Sequence, residues 1–174
     1  MPELADRRIQ VVTTAWERAH RVVEALLHFR QYGYWLALAD PGPWPDEDHP
    51  PLPPVQLLDL PQVRLWVRVR RVQAVVPHAE GELRTAHGRW RFVTGLDETL
   101  LALQNVAHLY YEADFTSPLE AEVRAFGLYR RAYLPDGALL SPSGSGVGLE
   151  VVVYRRRLTL RSGQGYRLSW VRSV

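Results

Sequence analysis

Val63-Arg-Leu-Trp-Val-Arg-Val-Arg70 is the stretch that decides the fold. Leu65, Val67 and Val69 alternate with Arg64, Trp66, Arg68 and Arg70. A repeat of two is the signature of a β-strand, whose successive side chains leave opposite faces. The segment therefore predicts a strand with one apolar and one polar face, which Val72 to Val76 extends. The same alternation returns over Ala107 to Thr116, where Leu109, Tyr111, Ala113 and Phe115 oppose His108, Tyr110, Glu112 and Asp114. Trp90 to Val93 and Glu122 to Tyr129 read as further strands. Leu149 to Leu160 and Tyr166 to Val174 read as a final strand pair joined by Arg161-Ser-Gly-Gln-Gly165. Turn residues separate these runs: His78 to Gly88, Pro135-Asp-Gly137 and the Ser/Gly stretch from Ser141 to Gly148. Leu100 to Leu103 fits either helix or strand.

Working back towards the N-terminus, the repeat changes. Thr14 stands three residues before Glu17, the spacing of a capping box. Ala15, Ala19, Val22, Val23, Leu26 and Leu27 follow at helical spacing, with Arg18, Arg21, Glu24 and Arg30 between them. This predicts a helix from about 15 to 31, ended by Gly33. Arg7 to Val12 fits a short strand or the helix start. Tyr34-Trp-Leu-Ala-Leu-Ala39 predicts a buried strand. From Asp40 to Pro54, seven of fifteen residues are proline, which excludes helix and central strand and leaves an extended loop. The expected architecture is mainly β: an antiparallel sandwich of about seven or eight short strands, one N-terminal helix and a Pro-rich loop. It is expected to be a single domain over 1–174, with a strand-helix and loop segment (1–62) packed on a sandwich (63–174). Phe126, Leu128, Leu158, Leu168 and Trp170 are expected in its core.

Composition narrows the function. The chain has 174 residues and 47% hydrophobic content, enough for a real core. It has no cysteine, which excludes disulfides, thiolate metal sites and cysteine nucleophiles. Every one of the 21 basic residues is arginine, yet the formal net charge is only +2, so nucleic acid is not an expected partner. The opening MPELADRRIQ lacks the apolar run of a signal peptide, and no stretch approaches the roughly 18 apolar residues of a membrane span.

No catalytic constellation emerges. His78, Glu80 and His87 carry metal-binding chemistry but lack ligand spacing, and a solvated hairpin tip accounts for them. Asp46-Glu-Asp-His49 gathers oxygen ligands but lacks the glycine-turned spacing of a calcium loop. Ser141, Ser143 and Ser145 fit neither a nucleophile elbow nor a phosphate loop. The expectation is no enzyme activity, no metal and no cofactor. Arg155-Arg-Arg157 is split by strand alternation, which sends Arg156 to the face opposite Arg155 and Arg157. Of the six tryptophans, Trp35 and Trp170 are expected in the core. Trp66 shares the polar phase of its strand and is an interface candidate with Arg68 and Arg70. Trp44, between Pro43 and Pro45, offers apolar surface on a stiff support and is expected to contact another protein; the alternative is that it plugs its own sheet.

Several segments resemble the baseplate wedge proteins of contractile-tailed phages, of the kind that forms an outer wedge dimer. They are Arg7-Ile-Gln-Val-Val-Thr-Thr-Ala-Trp-Glu-Arg18, Tyr34-Trp-Leu-Ala-Leu-Ala-Asp-Pro-Gly-Pro-Trp-Pro-Asp-Glu47 with Pro50-Pro-Leu-Pro-Pro54, and Val72-Gln-Ala-Val-Val-Pro77. The C-terminal half is similar to phage tail-fibre and tail-collar-like sandwich domains, through Tyr110-Tyr-Glu-Ala-Asp-Phe115, Glu122-Val-Arg-Ala-Phe-Gly-Leu-Tyr129, Val151 to Leu160 and Tyr166 to Trp170. The resemblance implies a virion structural protein, made in the host cytoplasm, that binds other virion proteins and copies of itself. It carries no catalytic residues. A head–tail connector or capsid decoration protein is the alternative within that class, and a carbohydrate-binding β-sandwich is the alternative outside it.

Overall fold

Thr14 starts the first helix as its spacing predicts. Its hydroxyl accepts the Glu17 N–H at 3.2 Å, and α1 runs over Ala15–Gln31. The Glu17 carboxylate does not reach back to the cap; it accepts from Arg21 one turn on, at 3.0 Å. Gly33, with φ of +79°, donates to the Phe29 carbonyl and turns the chain out of the helix. The computed structural model describes residues 12–131 and 147–174. The readings of 7–11, Pro135 to Gly137 and Ser141, Ser143 and Ser145 lie outside the described residues.

Nine strands follow α1 among the described residues. They are β1 (Trp35–Ala39), β2 (Val63–Arg68), β3 (Arg71–Pro77), β4 (Leu83–Thr85), β5 (Gly88–Val93), β6 (His108–Thr116), β7 (Ala121–Arg131), β8 (Val147–Leu160) and β9 (Gly165–Ser173). A short helix, α2 (Glu98–Leu103), lies between β5 and β6 and resolves the ambiguity at Leu100 to Leu103. Asp97 caps it by accepting the Thr99 and Leu100 N–H groups. All pairings are antiparallel, and the strands form two sheets, ordered β2-β1-β7-β8 and β4-β5-β3-β6-β9. The chain is thus mainly β, in a sandwich-like arrangement.

Three crossings join the sheets. β2 passes into β3 within two residues: the Val69 N–H still bonds Tyr34 before β1, and the Arg70 N–H already bonds Glu112 of β6. The β6–β7 and β8–β9 connections cross side by side, tied by Ser117 N–H to the Gln164 carbonyl and Gly163 N–H to the Ser117 carbonyl. Ser117 is fully buried there.

Two expectations need correction. β8 and β9 are not a hairpin pair: β8 bonds β7 in one sheet and β9 bonds β6 in the other. Their short connection turns a corner, because each strand adds to the outside of its own sheet. The sandwich also begins before residue 63, the start expected for it within the single domain, since β1 lies between β2 and β7, inside the first sheet. All five β1 residues are buried, as a strand covered on both faces requires.

The main core fills the space between the sheets and under α1. Val22 of α1, Leu36, Val69, Leu109, Tyr111, Leu128 and Leu160 lie there, each at most 2% exposed. Phe126, Leu158, Leu168 and Trp170 pack against it from half-buried positions. A second apolar layer, built on Trp35, Ala37, Leu60, Ala125 and Tyr129, covers the outer face of the first sheet.

Candidate interaction surface

The outer layer is built by the Pro-rich loop. Trp44 folds back onto its own chain: its indole N–H donates to the Arg155 carbonyl at 2.8 Å, and its ring lies 4.7 Å from that of Tyr154. Arg124, only 4% exposed, clamps the same segment. Its guanidinium meets Asp40 at 2.8 Å and Glu47 at 2.9 Å, with Glu122 at 3.6 Å. These hydrogen bonds hold the Glu47 carboxyl below the usual carboxylate range and raise the Arg124 guanidinium above its own. Asp46 closes a local turn, accepting from the Asp48 N–H and meeting the His49 ring at 2.8 Å. The acidic run is therefore committed to holding the loop. Further on, the Leu60 N–H donates to the Tyr129 hydroxyl, which in turn donates to Asp59.

The loop is thus pinned at both ends, and its middle faces outward. Leu52, Val55 and Leu58 are 91%, 93% and 87% exposed. Pro43 and Pro45 are exposed on either side of the half-buried Trp44. Sequence reasoning chose Trp44 as the outward residue; the displayed side chains are instead these three aliphatic ones. Nothing in their period distinguishes them, because the loop has none.

Trp66 and Arg68 of β2, and Arg70 just after it, each lie against groups of their own chain. Trp66 is half-buried beneath the loop, edge-on to Tyr129 at 4.8 Å. Its strand phase was read as polar, but that face carries the second apolar layer. Arg70 bridges Glu112 and Asp114, at 2.7 Å each. Glu112, buried, also accepts from the Tyr110 hydroxyl at 2.6 Å, and Asp114 pairs with Arg167 at 2.7 Å. Arg68 is exposed and lies over Gly33. His78 accepts the Glu80 N–H, and the His87 N–H donates to Thr85. Among the described residues no three His, Asp or Glu side chains gather as a metal set. No described helix is long and apolar enough to cross a membrane.

A second feature was not legible beforehand. β8 and β9 are outer strands of their respective sheets, and a cleft of 240 Å³ opens between the sheets on that side. Phe126, Val151 and Val153 line it from the first sheet, Leu168 and Trp170 from the second. Arg155 completes the lining, with its guanidinium 5.3 Å from the Phe126 ring centre. Strand alternation puts it there with Val151 and Val153, and a bulge in β8 follows. Leu158 pairs with Val123 and Tyr154 with Ala125, so Arg155, Arg156 and Arg157 together oppose Arg124. The alternation expected of this run is broken: Arg157 meets Glu122 at 3.3 Å and Arg156 reaches the Asp48 carbonyl. Burial pushes the Arg155 pKa down, and no carboxylate faces it among the described residues. At another position along the same two strands, Glu150 of β8 bridges Arg130 at 2.6 Å and Arg172 of β9 at 3.0 Å, linking the sheets.

No protein-family model matches this chain, and no curated protein sequence matches it.

Proposed function

We propose that this chain is a non-catalytic structural protein of a phage particle, acting in the tail baseplate wedge or at the tail-fibre attachment site through contacts with other virion proteins and with copies of itself. The observation that carries the reading is the display of Leu52, Val55 and Leu58 on a pinned, proline-rich loop. Isolated apolar side chains on a surface are ordinary. These three fall within seven residues that include Pro53 and Pro54, whose fixed φ angles lower the entropy lost on docking. The Pro-Trp-Pro-Asp-Glu segment that resembles wedge proteins anchors this loop, which supports the same class. The ionisable groups around it serve as structural clamps, which favours assembly over catalysis.

A glycan-binding role has less support. The exposed aromatics among the described residues are Trp16 and Tyr32, near opposite ends of α1. Sixteen residues of helix separate them by about 24 Å, too far to stack one sugar ring. The test is quantitative mass spectrometry of purified virions of the phage carrying this gene. A fixed copy number per tail is the expected result, and a fixed number per head would shift the assignment to a connector or decoration protein. Absence from purified virions, or specific binding on a glycan array, would overturn the proposal.

A further inference from the structure

We infer that the cleft between β8 and β9 is a docking site for an acidic segment of a partner protein, one apolar side chain entering the cleft and flanking carboxylates meeting Arg155 and its neighbours. The inference rests on the assembly reading above and specifies a surface for it. Three observations carry it. The first is size and lining: 240 Å³ bounded mainly by apolar side chains. An apolar cavity of about 150 Å³ already admits a benzene ring, so a Leu or Phe side chain fits.

The second is charge. Residues 147–174 hold six arginines (Arg155, Arg156, Arg157, Arg161, Arg167 and Arg172) and one acid, Glu150, while the whole chain is only +2. Arg167 and Arg172 are matched by Asp114 and Glu150, and Arg157 by Glu122. Arg155 is left with a hydrogen bond to the Arg156 carbonyl and the face of Phe126. A half-buried guanidinium without a carboxylate gains more from an incoming anion than a solvated one does. The third is Trp170, which lines the cleft and is stacked on Tyr111 with ring centres 5.2 Å apart, so that one wall is a fixed aromatic surface.

The test is selection of a displayed random seven-residue peptide library on the full chain. The expected winners carry one apolar residue flanked by Asp or Glu, and lose at least tenfold in affinity on Arg155→Glu and on Val153→Asp. Val153 is 43% exposed and Arg155 is half-buried; thermal melts of each variant confirm folding, and Arg155→Ala serves if either fails. Leu52→Asp is expected to leave peptide affinity unchanged. Selection of basic or uncharged peptides, or equal affinity for the cleft variants, overturns the inference. So does sedimentation showing that Val153→Asp dissolves a self-associated form, since a second copy would then be the occupant. Loss of peptide binding with the chain still present in virions sinks the cleft alone. Peptide binding with the chain absent from virions sinks the particle assignment alone.

Discussion

Arg124 holds the outer layer in place from a buried position, and its partners define what acid does to the protein. Arg124 keeps the Glu47 pKa below the ordinary 4.5. A depressed carboxylate stabilises the fold fully above its unfolded value, and that contribution disappears as pH falls through the folded value. The stability difference between the wild-type chain and Glu47→Gln is therefore expected to be constant above pH 4.5 and to shrink towards zero in stronger acid. Urea melts at a series of pH values check it; a difference that grows on acidification contradicts the clamp. Trp44 gives a second residue-level prediction. Truncating a fully buried aromatic costs about 3–5 kcal/mol, and Trp44 is half-buried, so Trp44→Ala is expected to cost about 2 kcal/mol in the isolated chain. An unchanged melting temperature would mean that the indole contributes nothing to holding the loop.

At the level of elements, the sequence was readable where one periodicity governed a segment. α1 shows this: Thr14, Glu17 and Gly33 carry start and stop signals, and the helix occupies Ala15–Gln31. The strands β2 and β6 were legible from alternation in the same way. Legibility failed where pairing partners decide. Nothing local in Leu149 to Leu160 says that it bonds β7 rather than β9, and nothing in Arg155-Arg-Arg157 announces a bulge, which depends on the register of the neighbouring strand. β4 was missed because Leu83–Thr85 is only three residues long inside a polar connection. Trp66 departs from its expected exposure because the loop leading into β2 folds back with Leu57 and Leu60 over the face that its arginines mark as polar. The cleft needed two outer strands from different sheets and so had no sequence signal beyond its arginines.

One element contact is directly testable. A Cβ added at Gly127 would lie 2.5 Å from a Leu60 methyl and 3.0 Å from one of Leu149. Gly127 thus sets how closely the loop approaches the first sheet. Gly127→Val is expected to lift Leu60 and to cost about 1–3 kcal/mol, the range for overpacking. A melting temperature unaffected by the change would show that the loop yields freely.

The whole molecule combines a β core with a surface that is not uniform. The core between the sheets rests on side chains such as Leu128, 1% exposed, for which Leu128→Ala is expected to cost about 2–5 kcal/mol. Leu52, Val55 and Leu58 contribute little to that core, because each is already in solvent. Stability and assembly should therefore separate. The direct measurement replaces all three with Asp and follows two quantities: the melting temperature of the isolated chain and, as the test of the proposed virion role, its copy number in purified particles. The account predicts a melting temperature within about one degree of wild type and incorporation reduced at least tenfold, equivalent to about 1.4 kcal/mol of lost contact. Normal incorporation of the triple variant, or a melting temperature that falls in step with incorporation, would contradict it.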